Sequence, residues 1–445
     1  MVNMAASQTA NAFETAENEA TARKTALAGY VGGTLEYYDL YIYASAAALV
    51  FGKVFFPEAG ASAALLSVST FGVAYIARPL GAIVFGTLAD RVGRKDALVY
   101  ILLMMGAATF LIGCLPSYAQ AGIWAPALLV VLRLLQGMSA GGETASASTL
   151  IVEVAPAHKR GFYTSWVSNG IVSGFVLAYL SFLPIAMLPE DQLLSWGWRI
   201  PFWASAIVML VGLQIRRKLH ETESFEEARA SGALAKVPLV ELLQTHRSAV
   251  LRVILCTLAL SINTAVAIFG LSYATGVAGI PRDTMLLITI LTNAAALVTQ
   301  PLCGMLADRI GHRIVFAGGT LVSAALVFTF FAAIEHGNIV LIALSNFLII
   351  SVFYAAVNAI YPAFFAEQFS LRVRSSGMAI SQQIGQIAAG FAPALGTLLV
   401  GADKTNWVSF ASVVAIFCVV GAISALTARE TTGLPQHELG IDGAR

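Results

Sequence analysis

Apolar residues run in long stretches along this chain. Twelve of them, at 26–50, 61–88, 97–115, 123–151, 162–188, 198–216, 249–277, 284–307, 314–334, 338–366, 376–401 and 406–428, are separated by short joints that carry Pro, Gly or charge. A helix needs about 20 apolar residues to cross a bilayer, and without water to satisfy the backbone a helix is the form such runs take. The pattern predicts an all-α polytopic membrane protein with twelve transmembrane helices. One long polar segment, 217–248, separates the sixth and seventh runs and is expected to be amphipathic helix plus linker. It divides the chain into a first six-helix bundle, 25–216, and a second, 249–429. The tails 1–24 and 430–445 are polar and are expected to be disordered. Residues 1–22 carry Glu14, Glu17 and Glu19 but no Lys or Arg, the reverse of the basic start of a cleavable signal peptide.

Two of the joints repeat. Gly86–Lys95 reads GTLADRVGRK, and Gly304–Arg313, offset by 218 residues, reads GMLADRIGHR. Glu153, Arg160 and Gly161 in EVAPAHKRG are echoed by Glu367, Arg374 and Gly377 in AEQFSLRVRSSG, with Glu and Arg both at an offset of 214. The period is far longer than that of a solenoid, so it marks two homologous halves.

Composition agrees with a membrane protein: 58% of residues are hydrophobic and 11% charged, against roughly 25% charged in a soluble domain. A net charge of +1 points away from nucleic acid. Cys114, Cys256, Cys303 and Cys418 show no metal-ligand spacing, and the six histidines fall in joints or tails. No metal or cofactor is expected. An enzyme embedded in the bilayer would need a nucleophile–base pair, metal ligands or a cofactor motif there, and the apolar runs offer none. The loop cations alternate. One set of joints collects Arg23, Lys24, Arg91, Arg94, Lys95, Lys159, Arg160, Arg216, Arg217, Lys218, Arg229, Lys236, Arg247, Arg252, Arg309, Arg313, Arg372, Arg374 and Arg429, whereas the opposite set holds Lys53, Arg199, Arg282 and Lys404. Positive loops stay inside, which places both termini in the cytoplasm.

An ionisable group inside a span costs about 2.5–3.5 kcal/mol on insertion scales and is a functional candidate. In LEYYDLYIY, Glu36 and Asp39 are three apart and share a helix face with Tyr38 and Tyr41 nearby. Two close carboxylates can hold a proton between them. In the fourth run, Arg133, Gln136 and Glu143 recur on one face, and Arg133 needs a counter-anion, with Asp39, Glu36 and Glu143 the candidates by type. Gly137 and Gly141 read as a helix-packing pair. Arg78 in the second run can meet an anionic substrate or a structural carboxylate. The second half offers neutral groups, Asn263, Tyr273, Asn293, Asn358, Tyr361, Gln382 and Gln386, for gripping a substrate or joining helices. The first half thus reads as the proton half. Gly86, Asp90, Arg91, Gly93 and Arg94, with Glu153, Arg160, Asp308, Arg309, Glu367 and Arg374, are expected to form a cytoplasmic gate that breaks when that side opens.

These residues resemble a known family. GTLADRVGRK and its echo resemble the loop signature of the major facilitator superfamily, and RLLQG its fourth-span signature. LEYYDLYIY, IARPLGAIVFGTLADRVGRK, RLLQGMSAGGE and WGWRIPFW together are similar to the metabolite:proton symporters, and YASAAALVFGKVFFP at 43–57 to their shikimate branch. The resemblance spans about residues 25–430. It implies two six-helix bundles around a central cavity, alternating access, and proton coupling by Asp39 and Arg133, with protons and a small organic acid as partners, or a zwitterion such as betaine or proline. It implies a monomer in the lipid of a bacterial inner membrane. Two departures touch the cavity: Thr144 follows GGE where the family often has Trp, and span seven reads LSINTAVAIFGLSY where many members are rich in aromatics and proline.

Overall fold

A computed structural model describes residues 2–217, 223–231, 238–276, 278–400 and 406–441. Each expected span falls on a helix: α1 (Val2–Ala46), α2 (Ala63–Val92), α3 (Arg94–Cys114), α4 (Trp124–Val154), α5 (Arg160–Ala186), α6 (Arg199–Arg217), α7 (Arg247–Thr275, with a turn and a π segment inside), α8 (Arg282–Ile310), α9 (His312–Glu335), α10 (Ile339–Glu367), α11 (Arg374–Val400) and α12 (Trp407–Thr427). Among the described residues, ten of these, all but α1 and α11, hold a stretch long and apolar enough to cross a membrane. Helix α1 is diluted by polar side chains, Glu36 and Asp39 among them.

The tails depart from expectation. Residues 2–24 are the start of α1 rather than a disordered tail, because no Gly or Pro interrupts this Ala-rich stretch before Gly29. Residues 430–441 are packed, with Thr431 and Leu439 buried. The linker is described only in part, as short helices Glu223–Ala230 and Pro238–Thr245. Lys218, Lys236 and Lys404 of the loop cations lie outside the described residues.

The charged joints are helix ends rather than loops. Gly93 at φ 115° and Gly311 at φ 111° each stop one helix and let the next begin at once, a backbone conformation open to glycine. Within the first half α1 packs on α5, α2 on α4, and α3 on α4 and α6; within the second, α9 packs on α12, α7 on α11 and α12, and α8 on α10. The halves meet where α5 lies against α8 and α10, and α2 against α11. In the first half α2 and α4 touch backbone to backbone. A Cβ on Gly137 would sit 2.1 Å from the Ala74 carbonyl, and one on Gly141 2.2 Å from the Arg78 carbonyl. That contact fixes how far apart Arg78 and Arg133 stand.

On the face away from the repeated joints, the WGWRIPFW segment is structural. Trp198 is buried against Phe51, Phe55 and Phe202. Arg199 donates to the Gly113 and Leu115 carbonyls at 2.8 and 2.6 Å, satisfying groups that the end of α3 leaves open.

Candidate functional site

Four helices of the first half converge on a buried polar core. Thr109 of α3 donates to Asp39 Oδ2 of α1 at 2.5 Å, Gln136 Nε2 of α4 donates to the Thr109 hydroxyl at 2.5 Å, and Arg133 Nη1 donates to Gln136 Oε1 at 2.9 Å. Asp39 and Arg133 are therefore joined through a hydrogen-bonded chain. The Arg133 guanidinium also lies 3.9 Å from the Tyr43 ring centre, and Tyr43 is fixed by Thr70 at 2.6 Å. On the other side Glu36 Oε1 faces Arg78 Nη2 at 3.6 Å, with Arg78 over the Tyr75 ring at 4.5 Å. A guanidinium over an aromatic face is attracted by the ring quadrupole, so both arginines are oriented in part by a ring.

Glu36, Asp39, Arg78, Arg133 and Gln136 line one small space. Glu36 Oε2, Asp39 Oδ1 and Arg78 Nε are buried and have no hydrogen-bond partner among the described residues. Buried polar atoms are rarely left so. The space carries two carboxylates and two guanidiniums, a balanced set that an anion and a proton together leave balanced.

Other expectations are redistributed. Glu143 lies apart from this core: it is ion-paired with Arg216, whose Nη1 also reaches the Leu98 carbonyl at 2.6 Å. Both are buried, and the pair fastens α6 to α3 and α4. Tyr38 bonds the Pro201 carbonyl at 3.1 Å, and Tyr41 packs edge-on against Phe175. In the second half Tyr273 stacks with Phe269 in the aromatic core, and Asn293 turns back onto the Thr289 carbonyl of its own helix. Asn263 and Gln386 are half-buried and do not line the space. Asn358 and Tyr361 do face the first half: Ser168 donates to the Asn358 carbonyl at 2.6 Å, and Tyr361 sits against Ser168 and Gln382, within electrostatic reach of Glu36 and Arg78.

The repeated joints form a second cluster. Asp90, at the end of α2, accepts from Ser375 N and Ser376 N of α11 at 3.1 and 2.8 Å. Asp308, at the end of α8, accepts from Gly161 N and Phe162 N of α5 at 2.7 and 2.8 Å. Each carboxylate thus caps a helix of the opposite half, where the open N–H groups and the helix dipole favour a negative charge. Arg160 faces Glu367 at 3.5 Å, Arg374 faces Glu153 at 3.6 Å, and Arg94 donates to the Leu371 carbonyl at 2.7 Å. Gly86 allows the approach: its Cβ would be 2.9 Å from Ser376 Cα. Arg91 and Arg309 are exposed, outside this buried set.

The sequence reading missed Thr109, which carries no charge, and Tyr43 and Tyr75, which look like ordinary core aromatics. It also missed His312, whose ring nitrogens lie 3.2 Å from Asp308 and 3.0 Å from Glu367. Aligning the two joints puts His312 where the first copy has Arg94, a signal that was available. The packed segment 430–441 adds further bridges. The Leu434 carbonyl accepts from Arg160 at 2.8 Å, and Gln436 joins Arg374 at 2.9 Å and the Val152 carbonyl.

An all-α fold of two homologous halves, closed at one face around a buried polar core, is that of a metabolite transporter of the major facilitator superfamily. The chain matches the model of the sugar (and other) transporter family over residues 25–441 and belongs to that family. It is 38% identical over 419 residues to the shikimate transporter of Escherichia coli (strain K12), covering 92% of this chain and 95% of that one. It is 32% identical over 429 residues to the proline/betaine transporter of Salmonella typhimurium, covering 93% and 84%. Among solved structures, the proton:xylose symporter XylE bound to 6-bromo-6-deoxy-D-glucose superposes with a TM-score of 0.76 at 20% identity, covering 95% of this chain and 98% of that chain. The protein is a multi-pass membrane transporter and not an enzyme.

Proposed function

We propose that this transporter imports a small organic acid together with protons by alternating access across a bacterial inner membrane. The observation that carries the reading is the Asp39–Thr109–Gln136–Arg133 chain opening on a space that also holds Glu36 and Arg78. Asp39, with Glu36 as neighbour, takes the proton. Arg78 and Arg133 attract the substrate carboxylate, and Tyr361, Asn358 and Gln382 supply neutral contacts from the second half. Similarity to a shikimate transporter supports an acid substrate. The repeated-joint face is cytoplasmic, as are both termini. The gate residues close that face here and part when it opens. Helices α1 and α11 cross the bilayer with the other ten, completing bundles 25–216 and 249–429 in a monomer surrounded by lipid.

A zwitterion such as betaine or proline is the second reading. The equal numbers of carboxylates and guanidiniums around the space suit a ligand carrying both charges, and proline/betaine transporters are among the similar proteins. Uptake of labelled shikimate, citrate and betaine into liposomes, with and without an inward proton gradient, decides between them. Gradient-dependent accumulation of an acid supports the first reading and accumulation of betaine the second. Uptake indifferent to the gradient rejects proton coupling.

A further inference from the structure

The buried charges of the gate form two sets related by the internal repeat. Asp90, Arg94, Glu153 and Arg160 correspond, at offsets of 218 and 214, to Asp308, His312, Glu367 and Arg374. The contacts repeat as well as the residues. Arg94 lies between Asp90 at 3.4 Å and Glu153 at 3.0 Å, and His312 between Asp308 at 3.2 Å and Glu367 at 3.0 Å. Arg160 and Arg374 each cross to the glutamate of the opposite half. The symmetry fails at one position, where a permanently charged guanidinium is replaced by an imidazole that gains and loses its proton near neutrality.

That replacement decides the net charge of the belt. Four carboxylates and three arginines leave one negative charge uncompensated, and a charged His312 removes it. The ring geometry agrees. Both nitrogens face carboxylate oxygens, and a neutral imidazole has a single N–H to offer, so only the imidazolium satisfies both contacts. His312 faces Asp308 from α8 and Glu367 from α10, and Glu367 in turn faces Arg160 from α5 and lies within electrostatic reach of Arg374 from α11. From the C-terminal segment, Glu430 accepts from His312 N at 3.0 Å and Thr431 donates to Glu367 at 2.6 Å. Glu430 is partly exposed and faces Arg313 at 3.8 Å, so it leaves the count of the belt unchanged.

We propose that His312 is a proton-operated latch for the closed gate. Protonated, it completes a neutral buried belt between the halves. Deprotonated, it leaves an unpaired negative charge there, and the gate parts to hydrate it, because an uncompensated buried charge is far more costly than a hydrated one. The closed gate therefore binds this proton more tightly than the open one. Its population is full at low pH and falls as pH rises. Assigning this face to the cytoplasm rests on the function proposed above, and on that reading a proton-poor cytoplasm favours opening. The latch itself depends on neither substrate nor proton coupling.

The test reads the gate alone. Spin labels are placed at His158 and Ile310, exposed positions beside α5 and at the end of α8, in a chain whose four cysteines are replaced by serine. Inter-label distances are measured in lipid nanodiscs, without substrate or gradient, from about pH 5 to pH 11, a range that starts below the charge change of a free imidazole and leaves room for the two flanking carboxylates to raise it. The short-distance population is expected to fall several-fold with rising pH in the His312 parent, to persist in His312→Arg, and to be low throughout in His312→Gln. A parent population that does not change with pH, or a His312→Arg profile that falls as the parent's does, overturns the proposal. So does a His312→Gln gate as closed as the parent at low pH. Should His312→Gln not fold, the comparison of His312→Arg with the parent decides by itself.

Discussion

Thr109 donates to Asp39 at 2.5 Å and accepts from Gln136 through the same oxygen, so the acid and the arginine that sequence reading would pair directly are linked by a neutral hydroxyl. A hydroxyl can donate and accept at once. The link therefore survives a change of charge on Asp39, whereas a direct ion pair would not. Asp39→Asn keeps the shape of this chain and removes the proton site. Gradient-driven accumulation is expected to vanish while equilibrative exchange of the same substrate persists. Counterflow and gradient-driven uptake in one liposome preparation separate the two.

Thr109→Val tests the relay without touching a charge. Volume is nearly kept, but Gln136 Nε2 and Asp39 Oδ2 each lose a partner. Leaving buried polar groups unsatisfied costs about 1–3 kcal/mol. The pH dependence of uptake is expected to shift while the amount of folded protein recovered stays near that of the parent. An unchanged pH profile would remove Thr109 from the coupling route.

Glu143 is expected to behave as a structural residue. Glu143→Gln leaves Arg216 buried without its carboxylate, and breaking a buried pair from one side costs about 3–5 kcal/mol. Thermal unfolding in detergent should fall markedly for Glu143→Gln and for Arg216→Gln alone, and recover in part when both are changed. A Glu143→Gln protein of normal stability that has lost only its proton dependence would return Glu143 to the coupling machinery.

The two capping aspartates should act alike. Asp90→Asn and Asp308→Asn each weaken a carboxylate at the N-terminus of a helix in the other half, an effect of about 0.3–2 kcal/mol. Each is expected to raise the rate at which a membrane-impermeant maleimide labels a cysteine placed at Phe162, now covered by the opposite half. A change in labelling with one variant and not the other would contradict the pseudo-symmetry of the gate.

Most of the fold was legible because the bilayer makes it so. Runs of apolar residues have one way to satisfy their backbone, and the repeated joints reveal the duplication. The ends were harder. Charged motifs look like loops, yet α2 runs through Asp90 to Val92 and α3 starts at Arg94, since one glycine at positive φ turns the chain. Charge identified Glu36, Asp39, Arg78 and Arg133 as cavity residues, because a buried charge is seldom placed without a use. It did not reveal the partner of Glu143, because Arg216 lies on α6, far along the chain. Neutral positions such as Tyr273 and Asn293 could not be sorted into cavity and core from helix phase alone. The packing of 430–441 was invisible because it depends on groups of both halves that come together only in the folded gate.

Helix α2 carries Arg78 at the cavity and Asp90 at the gate, twelve residues apart, or about 18 Å at 1.5 Å per residue. Its backbone is pressed against α4 at Ala74, Arg78 and Gly81, where Gly137, Gly141 and Gly81 have no side chain, so the arginine sits in the middle of the seam. Pro79 follows at once, weakening the helix on the ligand side and leaving the rest to swing as a stiff arm. A tilt of about 10° moves the far end by about 3 Å over that length, enough to break the hydrogen bonds by which Asp90 holds the opposite half. On the function proposed here, pulling on the arginine and unfastening the aspartate would be two ends of one mechanical stroke.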